Sequence, residues 1–548
     1  MRGINVKNPK LKITVILIIQ LIVSIGIVNT KSEFHIDEIY SYILSNSYSS
    51  DKISDADWIW GKWVSGNEFD DFITVQDDEK FSFEKVYMNN SNDCHPPLYY
   101  WLLHFVCSLF PGKFSKWFGC SLNIVIYIIS SIFLYLVADK IIKHEYIKWI
   151  SVVAYSCSVY ALNTCMYIRM YMLLTLITLM FTYCNLLVYQ NGITVKKLLI
   201  LFILAFIGAM THYYFVVLLF WEVLWLIAFS YRSKKFKISE IIRYIISNFT
   251  GVGLMLIVYP YAIEQATGSE TNNVGNEVVR NLFNLKLWIK QLICLSAEVV
   301  SHLTASKALS IICVGIILVL LFAYLVDKRI RKNDDSILFL LVSVLCVFVS
   351  ITYIGGEYVY ERYIYNIIPL IVIVIFGIVD SVALCINKYA TEIGKTLMKA
   401  VSYMILLAVL SNTICGIMLN NFEYSYIQKE RFDKMVINTD ADTLLVVTDE
   451  NNTSVVPTSN IMILRKMNNV YMQSWEYINE NKIFNDCVKT GSNFLLYITT
   501  DDYWVNGYDS NEILKSLSES CDVNITKICD YDFGIYYLVD PKISSEIY

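Results

Sequence analysis

Runs of about 20 apolar residues recur between Ile13 and Leu419, and each is long enough to cross a bilayer as a helix. A backbone in lipid finds no water to bond, so these runs must close their hydrogen bonds internally, as helices. The pattern predicts spans at 13–29, 119–138, 147–163, 171–189, 197–210, 213–230, 241–262, 303–326, 336–354, 364–386 and 397–419, about eleven in all. Composition agrees: 56% of the 548 residues are hydrophobic and 17% charged, far from a soluble average. The chain reads as an α-helical polytopic membrane protein.

Charge sets the orientation. Arg2, Lys7, Lys10 and Lys12 precede the first span, which places the N-terminus in the cytoplasm. A cleaved secretory signal is the competing reading; no small-x-small site follows Val28, and the rest of the chain is itself apolar. The loops then expected inside are basic, with Lys140, Lys143 and Lys148, Lys196 and Lys197, Arg232 to Lys237, Lys328 to Lys332, and Lys388 to Lys399. The short turns expected outside hold only Arg169 and Arg362, which lie against the topological bias. A multi-pass protein follows, of the plasma membrane if the cell is bacterial; in a eukaryote the same orientation would place the external face in the lumen.

Leu98 to Phe110 is apolar but too short to span. Its Tyr99-Tyr100-Trp101 cluster suits a helix lying in the outer interface. Residues 30–118 then form one large external loop. After Leu419 the apolar runs shorten and charge, Asn and Ser increase. Residues 1–419 therefore read as a transmembrane region and 420–548 as a small external α/β domain, with strands at Thr443–Thr448, Asn460–Leu464, Asn493–Ile498 and Ile535–Val539 and a helix at Asn511–Ser518.

Half of the 14 cysteines fall inside predicted spans, where a thiol behaves as a small hydrophobe. Cys487, Cys521 and Cys529 lie in the external domain and leave room for one disulfide. A net charge of -5 argues against a nucleic-acid partner. The sequence has no phosphate-binding glycine loop, no GxSxG and no HExxH.

Chemistry must come from groups at the external face. Asp37 and Glu38 follow the first span closely enough to stay near lipid head groups. A carboxylate there could act as general base on a hydroxyl or hold a metal; the plain alternative is a solvated charge pair. Asp93-Cys94-His95-Pro96-Pro97 fixes the chain before the interfacial helix, and His95 could bind substrate or simply mark a helix-entry turn. Arg169, His212 in Thr211-His212-Tyr213-Tyr214, and Arg362 with Tyr363 sit at outside ends of spans. Either arginine could neutralise a phosphate or snorkel to head groups, and His212 alone reads as an interfacial histidine.

Together these residues resemble the GT-C superfamily of membrane glycosyltransferases, in particular the branch similar to protein O-mannosyltransferases and aminoarabinose transferases. The resemblance lies in Asp37-Glu38 after the first helix, His95-Pro96-Pro97-Leu98-Tyr99-Tyr100 in the first external loop, Arg169-Met170-Tyr171, and Arg362-Tyr363 with Pro369 shortly after. It implies transfer of a sugar from a polyprenyl-phosphate carrier to an acceptor at the external face, with inversion at the anomeric carbon. Asp37 and Glu38 would then be catalytic, and Asp93, His95, Arg169, His212, Arg362 and Tyr363 would bind substrate. The partners are the lipid-linked donor, membrane lipids and an acceptor that is a glycan, lipid or protein.

The branch works without a catalytic metal, so no cofactor is expected. His35, Asp37, Asp93 and His95 are the set that could hold a divalent ion. A lipid-intermediate transporter is the alternative from another class and predicts functional polar groups at mid-membrane; Glu222 is the main one, with Asp380 near a cytoplasmic end. An O-antigen-type polymerase shares the lipid donor but not an Asp-Glu pair directly after the first helix.

Overall fold

The computed structural model describes residues 9–48, 50, 58–267, 284–302, 304–331, 335–355, 359–389, 392–419, 422, 441–448, 455–501 and 506–541. Arg2, Lys7, Lys332, Glu357, Tyr358 and residues 423–440 lie outside them. The chain forms two compact units: one of residues 1–29, 90–99 and 119–423, the other of residues 30–89, 100–118 and 424–548.

The first unit is helical. Among the described residues, nine helices of the chain are long and apolar enough to cross a membrane: Leu11–Thr30, Lys116–Ile141, Tyr171–Asn191, Tyr214–Arg232, Ile238–Val258, Lys307–Val326, Ser336–Ile354, Ile368–Ile386 and Thr396–Leu419. The other two expected spans are shorter. The run 147–163 is broken into helices Glu145–Ser156 and Val159–Met166, because Ser158 leaves the helix and its hydroxyl accepts a hydrogen bond from the Ala161 N–H at 3.1 Å, capping the second piece. The run 197–210 is the 15-residue helix Val195–Ala209. It packs tightly on Ile238–Val258 at Gly251, where a Cβ would stand 2.5 Å from the Phe202 carbonyl oxygen and 2.7 Å from the Ala205 Cβ; only a missing side chain lets these backbones approach so closely. The 17-residue helix Leu285–Ser301 lies where no span was expected.

Glu222 and Asp380 are both built in. Within the membrane region Glu222 accepts hydrogen bonds from the Thr182 hydroxyl at 2.5 Å and the Asn185 amide at 2.8 Å, and Asn185 in turn accepts from the Tyr244 hydroxyl at 2.9 Å. Asp380 accepts from the backbone N–H groups of Lys143 and His144 and from the His144 ring. Both buried carboxyl groups thus have hydrogen-bond partners, as buried polar groups require.

Among the described residues the second unit is a six-stranded sheet with helices, and its strands come from both the first loop and residues 443–541. Numbered along the sequence, β1 is Trp63–Ser65, β2 Thr443–Val446, β3 Asn469–Gln473, β4 Phe494–Thr499, β5 Val523–Tyr531 and β6 Gly534–Pro541, in the order β1-β3-β2-β4-β6-β5. β3, β2 and β4 run parallel, whereas β1 pairs antiparallel with β3 and β6 antiparallel with β4 and β5. The central strands β2 and β4 are buried throughout, as sheets covered on both faces require. One face packs Leu444, Leu496 and Ile498 with Ile478, Phe484, Ile513 and Leu517 of the covering helices. On β6, the Tyr536 hydroxyl donates to Asn460 of the Val455–Leu464 helix at 2.8 Å.

That helix corrects the expectation of a strand at Asn460–Leu464: a short apolar run is ambiguous by periodicity, and the residues before it extend the run to helical length. The strands expected at 443–448, 493–498 and 535–539 are present, as is the helix, at Ser510–Ser520. Cys487, Cys521 and Cys529 form no disulfide with one another, so the bridge left open by the sequence is not made. Strand β1 shows that the first loop shares a sheet with the C-terminal residues rather than standing apart from them.

Contact between the two ends is made at Gly66, where a Cβ would fall 2.0 Å from the Met467 carbonyl oxygen. An ion pair between Arg465 and Asp70 adds to it, and the Arg465 guanidinium lies 5.0 Å from the Phe114 ring centroid.

Candidate functional site

In the second unit, the local sequence Lys31 to Glu38 builds one frame. His35 caps the Ile36–Asn46 helix: its Nδ1 accepts the Asp37 N–H at 3.1 Å, while the Glu38 carboxylate accepts the His35 N–H at 2.8 Å. This is a capping box with histidine in the usual serine position. Glu38 also meets Lys31 Nζ at 2.8 Å, with both side chains 0% exposed. Behind them Phe34, Tyr42 and Phe114 pack edge-on, with centroids 4.8–6.1 Å apart, and the Tyr42 hydroxyl donates to the Ser115 carbonyl at 2.9 Å.

Asp37 stands in the first turn of this helix with its side chain 23% exposed. His35 Nδ1 lies 3.6 Å from its carboxylate, but that nitrogen already accepts a hydrogen bond and so is deprotonated; it does not neutralise Asp37. The two acidic residues, adjacent in sequence, therefore differ in kind. Glu38 is committed to Lys31 and the helix cap, whereas Asp37 reaches solvent.

In the first unit, separate loop ends converge. Asp93 and His95 lie just before the Leu98–Ser108 helix, in a turn held where Tyr259 and Gln265 donate to the Asn90 carbonyl at 2.6 and 2.8 Å. Arg169 precedes the Tyr171–Asn191 helix, and its position is fixed by Asn123, which donates to the Tyr167 carbonyl at 2.8 Å. His212 sits in the turn before Tyr214–Arg232. Arg362 and Tyr363 occupy the 3₁₀ turn Glu361–Ile364.

The side chains meet. His95 Nδ1 donates to Asp93 at 2.9 Å, and the Arg169 guanidinium lies 3.5 Å from the same nitrogen. Burial pushes the Asp93 carboxyl up, but the His95 and Arg169 charges outweigh it and hold it below the usual carboxylate range. His95 and His212 are edge-to-face at 5.6 Å. His212 packs on Tyr171 and Tyr214, and both tyrosines reach Tyr363. The Arg362 guanidinium lies 4.1 Å from the Tyr360 ring centroid and 5.7 Å from that of Tyr363, a cation–π arrangement.

His212 is neutral. Burial first, then the nearby His95 and Arg169 charges, drive its pKa well below the ordinary histidine value. Its Nδ1 accepts the Tyr214 N–H at 3.1 Å, so the ring proton is on Nε2, a buried donor with no partner among the described residues.

The structure thus gathers Asp93, His95, Arg169, His212, Arg362 and Tyr363 into one aromatic-lined cluster, and places Asp37 and Glu38 in the other unit. The proposed metal set divides in the same way, His35 and Asp37 in one unit and Asp93 and His95 in the other. Asp93, Cys94 and His95 do offer ligand atoms within 4.8 Å of one another. The Arg169 charge beside His95 opposes a cation there.

Sequence reasoning missed Tyr171 and Tyr214 as packing partners of His212, and the His302–Glu361 pair at 3.0 Å beside Arg362. Tyr214 was legible as part of the Thr-His-Tyr-Tyr string; nothing in the sequence joined His302 to Glu361.

Residues 94–260 match the family described as dolichyl-phosphate-mannose-protein mannosyltransferase. In fold the chain is similar to ArnT from Cupriavidus metallidurans bound to undecaprenyl phosphate, with 10% identity, 98% of this chain and 99% of that chain covered, and a TM-score of 0.50. The Archaeoglobus fulgidus oligosaccharyltransferase in complex with zinc and sulfate (10% identity, 84% and 62% covered, TM-score 0.44) and arabinofuranosyltransferase AftD from Mycobacteria (10%, 97% and 40%, 0.43) also match. No curated protein sequence matches. The GT-C fold expected from the sequence is borne out, and the chain is a multi-pass membrane protein with that fold.

Proposed function

We propose that this protein is an inverting glycosyltransferase that moves a sugar from a polyprenyl-phosphate carrier to an acceptor on the external face of the membrane. The observation that carries the reading is the convergence of Arg169, His95 and neutral His212 at the ends of three helices, with Arg362 held over tyrosine rings. A lipid phosphate leaves as an anion, and fixed cations and N–H donors lower the barrier to its departure. Arg169 and Arg362 supply charge, and the His212 Nε2–H supplies a donor already free of competing bonds. ArnT, which shares the fold, was solved with undecaprenyl phosphate bound, and this supports a carrier of the same class here.

The acceptor hydroxyl attacks the anomeric carbon as the carbon–phosphate oxygen bond breaks, and its proton passes to Asp37. Glu38 positions Asp37 through the cap and the Lys31 pair. With guanidinium groups meeting the phosphate, the reaction needs no metal. The basic inner loops support an external active face and a plasma-membrane location.

The test is sugar transfer by the purified protein from a panel of polyprenyl-phosphate sugars. Asp37→Asn should lower turnover by about two decades or more, and EDTA should leave the wild type unchanged. If no donor is consumed, or if Asp37→Asn matches the wild type, the reading is wrong.

A further inference from the structure

A cavity of about 490 Å³ opens in the second unit, lined by Trp63, Asp442, Asn468, Asn469, Asp486 and Asn493 among others. Its volume falls within the range of small-ligand pockets, about 300–1,000 Å³. It lies where β2, β3 and β4 begin, since Asp442, Asn468 and Asn493 immediately precede those strands. Open α/β sheets bind nucleotides at the opposite, carboxyl ends of their strands.

Its lining combines hydrogen-bond acceptors with an aromatic ring. Asp442 Oδ1 accepts from the side-chain amides of both Asn468 and Asn469 at 3.0 Å. These bonds fix both amides with their oxygens turned away from Asp442, and among the described residues they leave Asp442 Oδ2 and both amide oxygens to accept from a ligand. Asp486 adds a second carboxylate, while Lys489, which pairs with it at 2.8 Å, is not part of the lining. No lysine or arginine lines the cavity among the described residues, so an anion such as a phosphate would meet two carboxylates and no cation in the wall.

Trp63 also lines the cavity. It lies on the edge strand β1, packs on Tyr471 at 5.2 Å with the rings tilted by 46°, and remains 43% exposed. A pyranose ring matches this combination: its hydroxyls donate hydrogen bonds, and its C–H face is apolar and carries slight positive charge, suited to the negative face of an indole.

We infer that this cavity is a binding subsite for a saccharide unit without phosphate, with Trp63 as stacking platform and Asp442, Asn468 and Asn469 as hydroxyl acceptors. Binding stands on the cavity alone. Only in calling the ligand the acceptor does the inference rest on the transfer reading, and there it names the acceptor as a glycan or glycolipid.

The experiment is saturation-transfer difference NMR on the full-length protein in nanodiscs without donor lipid, using methyl α-mannoside, methyl β-glucoside, N-acetylglucosamine and glucosamine as probes and glucose 1-phosphate as the anionic comparison. At least one uncharged or amino probe should show transfer concentrated on its ring C–H protons. Trp63→Ala and Asp442→Asn should each weaken that probe at least about tenfold, and Trp63→Tyr, which keeps the ring, should hold it within about threefold. Hydrogen exchange over Asn469–Gln473 checks that the sheet survives each change.

The inference fails if no probe binds the wild type, if Trp63→Ala binds as well as the wild type, if glucose 1-phosphate binds best, or if calcium alone binds in place of every saccharide. A wild type that transfers sugar from donor lipid yet binds no probe overturns this inference and leaves the transfer reading standing.

Discussion

Glu38→Gln separates a positioning carboxylate from a reacting one. The Lys31–Glu38 pair is 2.8 Å long with both side chains 0% exposed. At an effective dielectric constant near 20 the attraction is about 6 kcal/mol, offset by the cost of taking both charges out of water. Removing one partner leaves the other buried without it, which costs about 3–5 kcal/mol. Glutamine keeps the oxygen that caps His35, so the loss is chiefly that of charge.

Read as local opening, 3–5 kcal/mol is about two to three and a half decades of faster amide exchange. Hydrogen exchange on peptides covering 36–46 should show this for Glu38→Gln and for Lys31→Met. The double variant Lys31→Met/Glu38→Gln, with no stranded charge, should return to within about one decade of the wild type, because the two sites are coupled. Sugar transfer should follow the same pattern, falling in each single variant and recovering in the double. Exchange in Glu38→Gln within threefold of the wild type, or a double variant as poor as the two losses added, refutes the account of a buried coupled pair. Recovery of exchange without recovery of transfer would assign Glu38 a direct role in the reaction.

Further outcomes are expected. Burial lowers the pKa of His104, and burial with the His95 and Arg169 charges lowers that of His212, whereas the unfolded chain takes up those protons near pH 6.5. Their contribution is complete above about pH 6.5 and is lost as pH falls below it, at up to about 1.4 kcal/mol per pH unit for each group; a melting temperature that is flat or rises between pH 7.5 and 5.5 contradicts this. Glu222→Gln should leave transfer within about threefold, because Thr182 and Asn185 can bond an amide in its place; loss of lipid-sugar handling in that variant would favour a transporter. Gly66→Ala should speed exchange over Asn469–Gln473 by at least about tenfold, since its Cβ would fall 2.0 Å from a carbonyl oxygen. Unchanged exchange there would show that the approach of β1 to its neighbours is loose.

The membrane helices were legible because lipid reduces the choice of structure to one, and length and apolarity then suffice. Where that rule is weakest, the reading slipped. Ser158 interrupts an apolar run without lowering its hydropathy much, and only its hydroxyl bond to Ala161 reveals the cap. Asn460–Leu464 has the composition of either a strand or a helix, and the sheet decides. Strand β1 could not be found at all: three residues in a long loop carry no periodicity, and the pairing of Trp63 with Tyr471 spans most of the chain.

In the candidate site, charge placed against the topological bias pointed to Arg169 and Arg362, and both lie in the buried cluster. Burial itself, which makes His212 a neutral donor and Glu38 a structural ion, is a tertiary property that local sequence does not carry.

The pairing of β1 with β3 also sets an order of assembly. Ser65 leaves the ribosome long before Asn469, and at about 5–20 residues per second the interval is tens of seconds, during which every membrane helix in between must insert. Through that interval the Trp63 strand has no partner in the sheet and its edge is open to wrong pairing. Residues 443–541, made after the membrane helices, therefore supply the strands with which the first loop forms its sheet. A chain stopped after Leu419 would carry the nine candidate spans found among the described residues and still lack strands β2 to β6, so the first loop would wait for its sheet until after those helices are made.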